Sequence, residues 1–159
     1  MPLQQLLDAD RIAILNRPDD RDAVIDAAAR RLATAAVAAV TIGDSLHARE
    51  QLASTAIGHG VAIPHGRVAG LAASCGAFLR LAEPVDFGAA DGQPVDLVLA
   101  MAVPEHSLQE HLQQLAELAE HFADAGFRER LRGAADLAEL RRCLLQPLAQ
   151  SLPPRPTMA

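Results

Sequence analysis

The run from Val95 to Val103 constrains the fold more than any other stretch of the sequence. Only Asp96 interrupts its apolar residues. A run of this length suits a β-strand that is buried on both faces, because a strand with one solvated face would alternate apolar and polar residues. Burial on both faces requires helices on both sides of a sheet. The sequence therefore predicts a layered α/β domain.

Shorter patterns predict the other elements of this domain. Strands are expected at 12–15, 61–63, 75–81 and 85–87, and helices at 3–7, 19–36, 42–52, 105–122, 127–131 and 136–145. Thr41 is expected to cap the helix at 42–52. Pro64 should end the strand at 61–63 or lie at its edge, because it has no N–H. One domain is expected over 1–146, followed by a tail at 147–159 whose four prolines predict disorder.

Composition excludes several classes of function. All 14 basic residues are arginine, so neither a Schiff-base lysine nor a P-loop lysine is available. The formal net charge is -6 and no basic face is visible, which argues against nucleic-acid binding. No apolar stretch is long enough to insert into a membrane and no signal-peptide pattern opens the chain, so a cytoplasmic protein is expected. HExxH, CxxC and GxSxG motifs are absent, so neither a metal site nor a serine hydrolase is predicted.

A histidine with unusual neighbours, His65, stands between Pro64 and Gly66. Backbone support on one side and small residues on the other suit a histidine that must react with a large partner. A neutral imidazole is a good nucleophile near pH 7, since its unperturbed pKa is about 6.5. It could hold a phosphoryl group as a phosphoramidate. Taken alone, a histidine at such a position is more often structural, as a strand cap or a loop hydrogen-bonding group.

Two further residues could complete a phosphoryl site. The planar guanidinium of Arg49 suits a phosphoryl group, although a surface ion pair with a nearby acid is the alternative. His111 could hydrogen-bond a phosphoryl oxygen or orient His65, or it could be a solvated helix residue. Secondary contributions to the pocket are expected from His106, Glu50, His59, Ser54 and Thr55. Glu50 is interpreted as a local salt-bridge partner rather than a general base.

The stretch from Arg49 to Gly66 resembles the active-site signature of the phosphotransferase-system IIA domains of the fructose/mannitol type. Residues 92–97, 103–106 and 111–112 resemble the second half of that signature. The likeness covers nearly the whole domain and is strongest to the nitrogen-related regulatory branch of the family. Ala56 departs from the pattern, which more usually has glycine there. Because alanine tolerates positive φ poorly, a slightly different loop is expected.

The resemblance implies a three-layer α/β/α sandwich around a small mixed sheet. It also implies that His65 accepts a phosphoryl group on Nε2 from an HPr-like carrier, which is charged by a phosphoenolpyruvate-dependent enzyme I. Arg49 and His111 match the arginine and the second active-site histidine of the family. No metal or cofactor is required.

The function expected on this basis is a regulatory phosphocarrier that binds target proteins according to its phosphorylation state. Two alternatives stay open. One is a sugar-transport IIA component that passes the phosphoryl group to a separate IIB protein. The other is a binding module that has kept the fold and lost phosphorylation.

Overall fold

The computed structural model describes residues 3–106 and 108–146, so the predicted tail at 147–159 lies outside the described residues. The strands are β1 (Ile12–Leu15), β2 (Ala56–Gly58), β3 (Val61–Ala62), β4 (His65–Val68), β5 (Cys75–Val85) and β6 (Val95–Pro104). The helices are α1 (Leu3–Leu6), α2 (Arg21–Leu32), α3 (Ala39–Leu52), α4 (Leu108–Ala123), α5 (Ala125–Gly133) and α6 (Leu137–Leu145). A 3-10 turn at Ala9–Arg11 leads into β1.

The strands form one mixed sheet in the order β1-β5-β6-β3-β2, and β4 also pairs with β6. The pairs of β1 with β5, of β3 with β6 and of β4 with β6 are parallel, whereas β2 with β3 and β5 with β6 are antiparallel. The predicted central strand is β6, which lies inside the sheet. Its alternate side chains enter two separate apolar clusters.

Helices cover both faces of this sheet. One cluster joins the sheet to α2 and α3 and contains Val98 of β6. The other joins the sheet to α1, α4, α5 and α6 and contains Leu97 and Leu99. The predicted three-layer α/β/α sandwich around a small mixed sheet is therefore confirmed. No helix among the described residues is long and apolar enough to cross a membrane.

Strands β3 and β4 run along β6 as one interrupted strand. Val61 lies opposite Leu97 and His65 lies opposite Met101, so the register is unchanged across the interruption. Pro64 cannot donate a hydrogen bond, but its carbonyl accepts one from Met101 N at 2.8 Å. The prediction that Pro64 ends the strand is thus only half correct, because the strand resumes at the next residue as β4.

Several predicted boundaries are wrong for local reasons. Helix α2 ends at Leu32 rather than at 36, because Thr34 Oγ1 accepts from the N–H groups of Ala36 and Val37 and forms a turn. Thr41 lies inside α3, which begins at Ala39 without a side-chain cap. Helix α4 begins at Leu108, since residues 105–106 form a turn.

The predicted edge strand at 85–87 is instead continuous with the strand before it. β5 runs through Pro84 to Val85, with a register irregularity between Arg80 and Val85. A proline fits there because an irregular ladder does not need its missing N–H.

Candidate active site

His65 is the first residue of β4 and is half-buried. Its Nδ1 lies 2.7 Å from the carbonyl oxygen of Ile63. A carbonyl oxygen can only accept, so Nδ1 must carry the ring proton. The lone pair of the neutral ring is then on Nε2. The backbone two residues earlier thus selects the tautomer in which Nε2 is the nucleophilic atom.

Gly66 explains why the strand can lie where it does. A Cβ at this position would overlap Ser45 of α3. The glycine therefore permits close packing of β4 on α3, on the sheet face opposite His65. The expectation that Gly66 clears space around the reactive ring is corrected, since the glycine faces the other layer.

His111 brings a second imidazole to His65. It lies in the first half of α4 and is only 6% exposed, so it is not the solvated helix residue of the alternative interpretation. The two ring centroids are 5.2 Å apart, with the ring planes tilted by 53°. Its Nδ1 is buried and has no hydrogen-bond partner among the described residues. An unsatisfied buried ring nitrogen beside His65 is the kind of exception that calls for a functional reason.

Arg49 lies in the last turn of α3 and is half-buried. Its Nη1 donates to the carbonyl of Ala53 at 2.8 Å, which caps the C-terminal end of the helix. Within the described part of the chain, Arg49 forms no ion pair with an acid. The surface ion pair with a nearby acid is therefore not found.

We call the opening next to these residues the His65 cleft. It has a volume of about 330 Å³ and is lined by Arg49, Ser54, Thr55, Ala56, Ile57, Ile63, His65, Leu115, Ala116 and Ala119. The loop before β2, the β2–β3 hairpin and α4 form its walls. The apolar wall from α4 was not among the predicted site residues, although its residues lie one helical turn and more beyond His111.

Both histidines are biased towards the neutral form. Burial lowers the pKa of His65 below its ordinary value of 6.5; the hydrogen bond to Ile63 opposes this, and the charge of Arg49 adds to it. Burial also lowers the pKa of His111, and the charges of His65, Arg67 and Arg49 lower it further. The neutral form of His65 is therefore favoured in a cleft that also holds a permanent cation, Arg49, and the neutral form of His111 is favoured beside it.

Glu50 does not act as predicted. It is 3% exposed, and its carboxylate accepts from the backbone N of Thr55 at 2.7 Å and from Thr55 Oγ1 at 2.5 Å. No salt bridge to Glu50 occurs among the described residues, so the salt-bridge interpretation is wrong. Ser54 also fixes the loop: its Oγ donates to the carbonyl of Phe87 at 2.6 Å and accepts from Ala56 N.

Two predicted pocket histidines lie elsewhere. His106 is exposed in the turn between β6 and α4 and does not line the His65 cleft. His59 lies at the tip of the β2–β3 hairpin, with a positive φ of 58°, and lines a different cavity. Ala56 is in β2 without a positive φ, beside a register irregularity between Ala56 and Gly58, and the expected difference of this loop from the family stays a prediction.

Arg67 is the charged neighbour that sequence reasoning missed. It is exposed on β4, two residues after His65 and therefore on the same face of the strand. Its charge contributes to the lowered pKa of His111, which indicates that it lies near that ring. The period-two pattern could have identified Arg67 if β4 had been predicted.

Among the described residues, no group of three or more potential ligands forms a metal site.

Comparison with known proteins gives one family. Residues 5–146 match the family described as phosphoenolpyruvate-dependent sugar phosphotransferase system, EIIA 2. The chain is similar to a nitrogen regulatory protein of Pseudomonas aeruginosa, with 48% identity over 96 residues that cover 60% of this chain and 62% of that protein. The match thus spans less than two thirds of that relative's length.

Two other similarities extend over most of this chain. The crystal structure of nitrogen regulatory protein IIA-Ntr from Neisseria meningitidis superposes with a TM-score of 0.81 at 37% identity, covering 89% of this chain and 98% of that one. The 2-O-alpha-mannosyl-D-glycerate-specific EIIABC component of Escherichia coli K12 is 32% identical over 148 residues, which cover 91% of this chain and 22% of that protein.

Proposed function

This chain belongs to the EIIA 2 family of the phosphoenolpyruvate-dependent sugar phosphotransferase system, and from that premise we propose that it is a regulatory phosphocarrier of the nitrogen-related type. His65 accepts a phosphoryl group on Nε2 from an HPr-like carrier protein, which receives it through enzyme I from phosphoenolpyruvate. The phosphorylation state of His65 then decides which target proteins the chain binds. The proposal places the protein in the cytoplasm, where such carriers meet it.

One observation carries this proposal: the hydrogen bond from His65 Nδ1 to Ile63 O, which leaves the lone pair on Nε2. In the transfer, the Nε2 lone pair forms the new N–P bond while the N–P bond of the donor phosphohistidine breaks. The electron pair of the broken bond stays on the donor nitrogen. The His65 ring keeps its Nδ1 proton and gains the positive charge that the donor ring loses, so no proton has to leave.

The neighbours of His65 support the same chemistry. Arg49 carries a permanent positive charge on the wall of the cleft, which suits the oxygens of a phosphoryl group. The ring centroid of His111 lies 5.2 Å from that of His65, so its imidazole is close enough to donate a hydrogen bond to an oxygen of a phosphoryl group on His65. Such a transfer depends mainly on alignment and electrostatic stabilisation, so no metal or cofactor is needed.

Exposed apolar side chains around the cleft support a protein as the donor. Leu52 is 83% exposed, Leu112 57% and Ile57 41%. Ile57 lines the cleft and Leu52 is the last residue of α3, between the cleft residues Arg49 and Ser54, whereas Leu112 of α4 is not among the residues that line it. Apolar residues clustered around a polar centre are typical of a surface that another protein covers.

The second candidate function is a sugar-transport IIA component. The similarity to a sugar-specific EIIABC component over 91% of this chain favours it. Chemistry at His65 would be the same in both roles, so the receiving protein decides between them. Efficient transfer from phosphorylated protein to a sugar-specific IIB protein would favour transport over regulation.

The decisive experiment is a phosphotransfer assay with enzyme I, an HPr-like protein and labelled phosphoenolpyruvate. We expect wild type to take up label and His65→Ala to take up none. His47→Ala is the matched control, because His47 lies on the far side of α3, paired with Asp26 at 2.7 Å. Equal labelling of wild type and His65→Ala, or no labelling of wild type, would refute the proposal.

A further inference from the structure

Glu50 is a buried carboxylate whose burial needs an explanation. It is 3% exposed and forms no ion pair among the described residues. Both of its oxygens accept hydrogen bonds from Thr55, one from the backbone N–H and one from the hydroxyl. A carboxylate removed from water without a cation costs free energy, even when hydrogen bonds offset part of it. Apolar side chains would have filled the same space at lower cost.

The hydrogen bonds continue from Glu50 to the reactive histidine. The carbonyl of Thr55 accepts from Ile63 N at 3.0 Å, and the carbonyl of Ile63 accepts from His65 Nδ1 at 2.7 Å. Thr55 and Ile63 are 5% and 3% exposed, so water does not compete along this path. We call these four residues the Glu50–His65 relay. These bonds fix the positions of the two residues between Glu50 and His65. Because the N–H and the C=O of one residue belong to different peptide groups, the relay acts through position rather than through mutual polarisation.

We propose that Glu50 is a positioning residue for His65. Its carboxylate fixes Thr55, Thr55 fixes Ile63, and the Ile63 carbonyl then keeps the His65 proton on Nδ1 and Nε2 directed at the incoming phosphoryl group. This inference rests on the proposed function, since it assumes that His65 is the acceptor. It assigns to Glu50 a role that is separate from the charge compensation by Arg49.

The charge of Glu50 acts in the same direction as its hydrogen bonds. The His65 ring becomes positive as the bond from Nε2 to phosphorus forms, and the Nδ1–H bond to Ile63 then strengthens. Among the influences on the pKa of His65, Glu50 raises it while burial and Arg49 lower it. A negative charge on the Nδ1 side of the ring therefore favours the cationic product.

Four variants separate the charge from the anchor. Glu50→Gln keeps the shape and can keep two contacts to Thr55, but it removes the charge. Thr55→Val removes the hydroxyl bond and keeps the charge, and Thr55→Ser should restore what Thr55→Val loses. Asp91→Asn is the matched control, because Asp91 is also a carboxylate that binds a backbone N–H of the β2–β3 hairpin, at His59 on the opposite end.

Two measurements read out the relay. Nitrogen-15 NMR of His65 gives its tautomer and the pH midpoint of its titration. Single-turnover transfer from the phosphorylated carrier gives a saturating rate and an apparent affinity. For Glu50→Gln we expect a lower midpoint, a smaller Nδ1–H population and a saturating rate reduced on the order of 10-fold, with affinity for the carrier little changed. Thr55→Val should lose rate, and Thr55→Ser and Asp91→Asn should match wild type.

The outcomes that overturn the inference are distinct from failure of the proposed function. If Glu50→Gln and Thr55→Val both keep the wild-type tautomer and rate, Glu50 does not position His65. If Glu50→Gln fails to fold, the pair Thr55→Val and Thr55→Ser decides, and equal rates for the two refute the relay. If wild type takes no phosphoryl group, the proposed function fails, while the tautomer still tests the positioning by Glu50.

Discussion

Two cavities lie at opposite ends of the β2–β3 hairpin, and they differ in how their polar groups are satisfied. The His65 cleft has a volume of about 330 Å³. The second cavity, which we call the His59 hollow, has a volume of about 570 Å³ and is lined by His59, Gly60, Pro84, Asp91, Gln93, Pro94, Asp96, Arg128 and Arg132. The larger cavity is the one whose charged side chains all have hydrogen-bond partners.

In the His59 hollow, the charges hold the hairpin tip in place. Arg132 binds both carboxylate oxygens of Asp96 and donates to the carbonyl of His59 at 2.6 Å. Asp91 accepts from His59 N at 2.9 Å. The peptide groups on both sides of His59 are thus clamped, which stabilises its left-handed conformation. At His65, by contrast, Nε2 has no hydrogen-bond partner among the described residues, and neither does the buried Nδ1 of the neighbouring His111. Unsatisfied polar groups, rather than greater volume, thus distinguish the proposed reactive site from the His59 hollow.

The strongest test of this contrast exchanges the two arginines for alanine. Arg49→Ala should reduce the rate of phosphoryl acceptance by about 100-fold, because it removes the charge that offsets the phosphoryl oxygens. Its free energy of unfolding should fall by only about 0.5 kcal/mol, since it loses one partly exposed hydrogen bond at a helix end. Single-turnover transfer and chemical denaturation measure the two effects.

Arg132→Ala should give the opposite result. Its rate of acceptance should equal that of wild type, while the free energy of unfolding falls by about 1 kcal/mol, because a partly exposed ion pair and the bond to His59 O are lost. If the free energy of unfolding of Arg49→Ala falls by several kcal/mol instead of about 0.5 kcal/mol, Arg49 is a structural residue. If Arg132→Ala instead accepts the phosphoryl group more slowly than wild type and keeps the wild-type stability, the His59 hollow takes part in the reaction.

Most of the fold could be predicted from the sequence, because burial leaves a strong pattern. The run at 95–103 predicted β6 correctly within one residue, and helix periodicity identified every long helix. Strand β4 was missed, since the sequence His-Gly-Arg-Val shows no alternation that predicts a strand. Its pairing with β6 is a tertiary effect. Without β4, the placement of Arg67 on the face of His65 could not be seen.

Residues of the candidate site could be chosen from the sequence by their chemical type, but their positions depend on the course of the backbone. His59 is six residues from His65, but residues in extended strands advance by about 3.3 Å each, so the hairpin carries it to the opposite end. Glu50 adjoins Arg49 in sequence, yet neighbours on a helix do not face each other. Arg49 therefore reaches the cleft while Glu50 points into the protein. Adjacency in sequence suggested contacts that the backbone forbids.

The titratable groups at the two cavities should reduce the free energy of unfolding of the protein in different ranges of pH. Burial lowers the pKa values of His65 and His111 from 6.5, so the unfolded chain takes up protons first as the pH falls below about 6.5. Stability should therefore decrease between about pH 6.5 and the lower folded pKa values. Hydrogen bonds from Gln93 N and His59 N lower the pKa of Asp91 from 3.8, so its contribution is lost only below about that pH.

Thermal melts from about pH 7.5 down to about pH 3 test this separation. The melting temperature of wild type should fall by a few degrees in the upper range. In the double variant His65→Gln and His111→Gln, the melting temperature should fall less over this range. Burial also lowers the pKa of His121, so this histidine should account for part of the decrease that is left in the double variant. Asp91→Asn should change only the lower range. An identical upper slope in wild type and the double variant would show that the cleft histidines are not the source.

The smallest effect is expected from the apolar surface beside the cleft. Leu52 and Val40 are both large, exposed apolar residues of α3, at 83% and 69% exposure, but only Leu52 lies at the end of the helix next to the cleft. Leu52→Ser should weaken the apparent affinity for the phosphorylated carrier about 3-fold, because one rim contact contributes about 0.5–1 kcal/mol. The saturating rate should not change, since Leu52 is not among the residues that line the His65 cleft.

Val40→Ser removes a similar exposed surface at the other end of α3 and should leave both parameters at wild-type values. Saturation kinetics with the purified carrier distinguish the two variants, because a docking residue changes affinity and a residue of the reaction changes rate. Equal effects of Leu52→Ser and Val40→Ser would mean that the carrier does not dock at the cleft end of α3. A selective loss of rate in Leu52→Ser would instead place Leu52 among the residues that align the phosphoryl group. The contrast between the His65 cleft and the His59 hollow would then include an apolar residue as well as the polar groups.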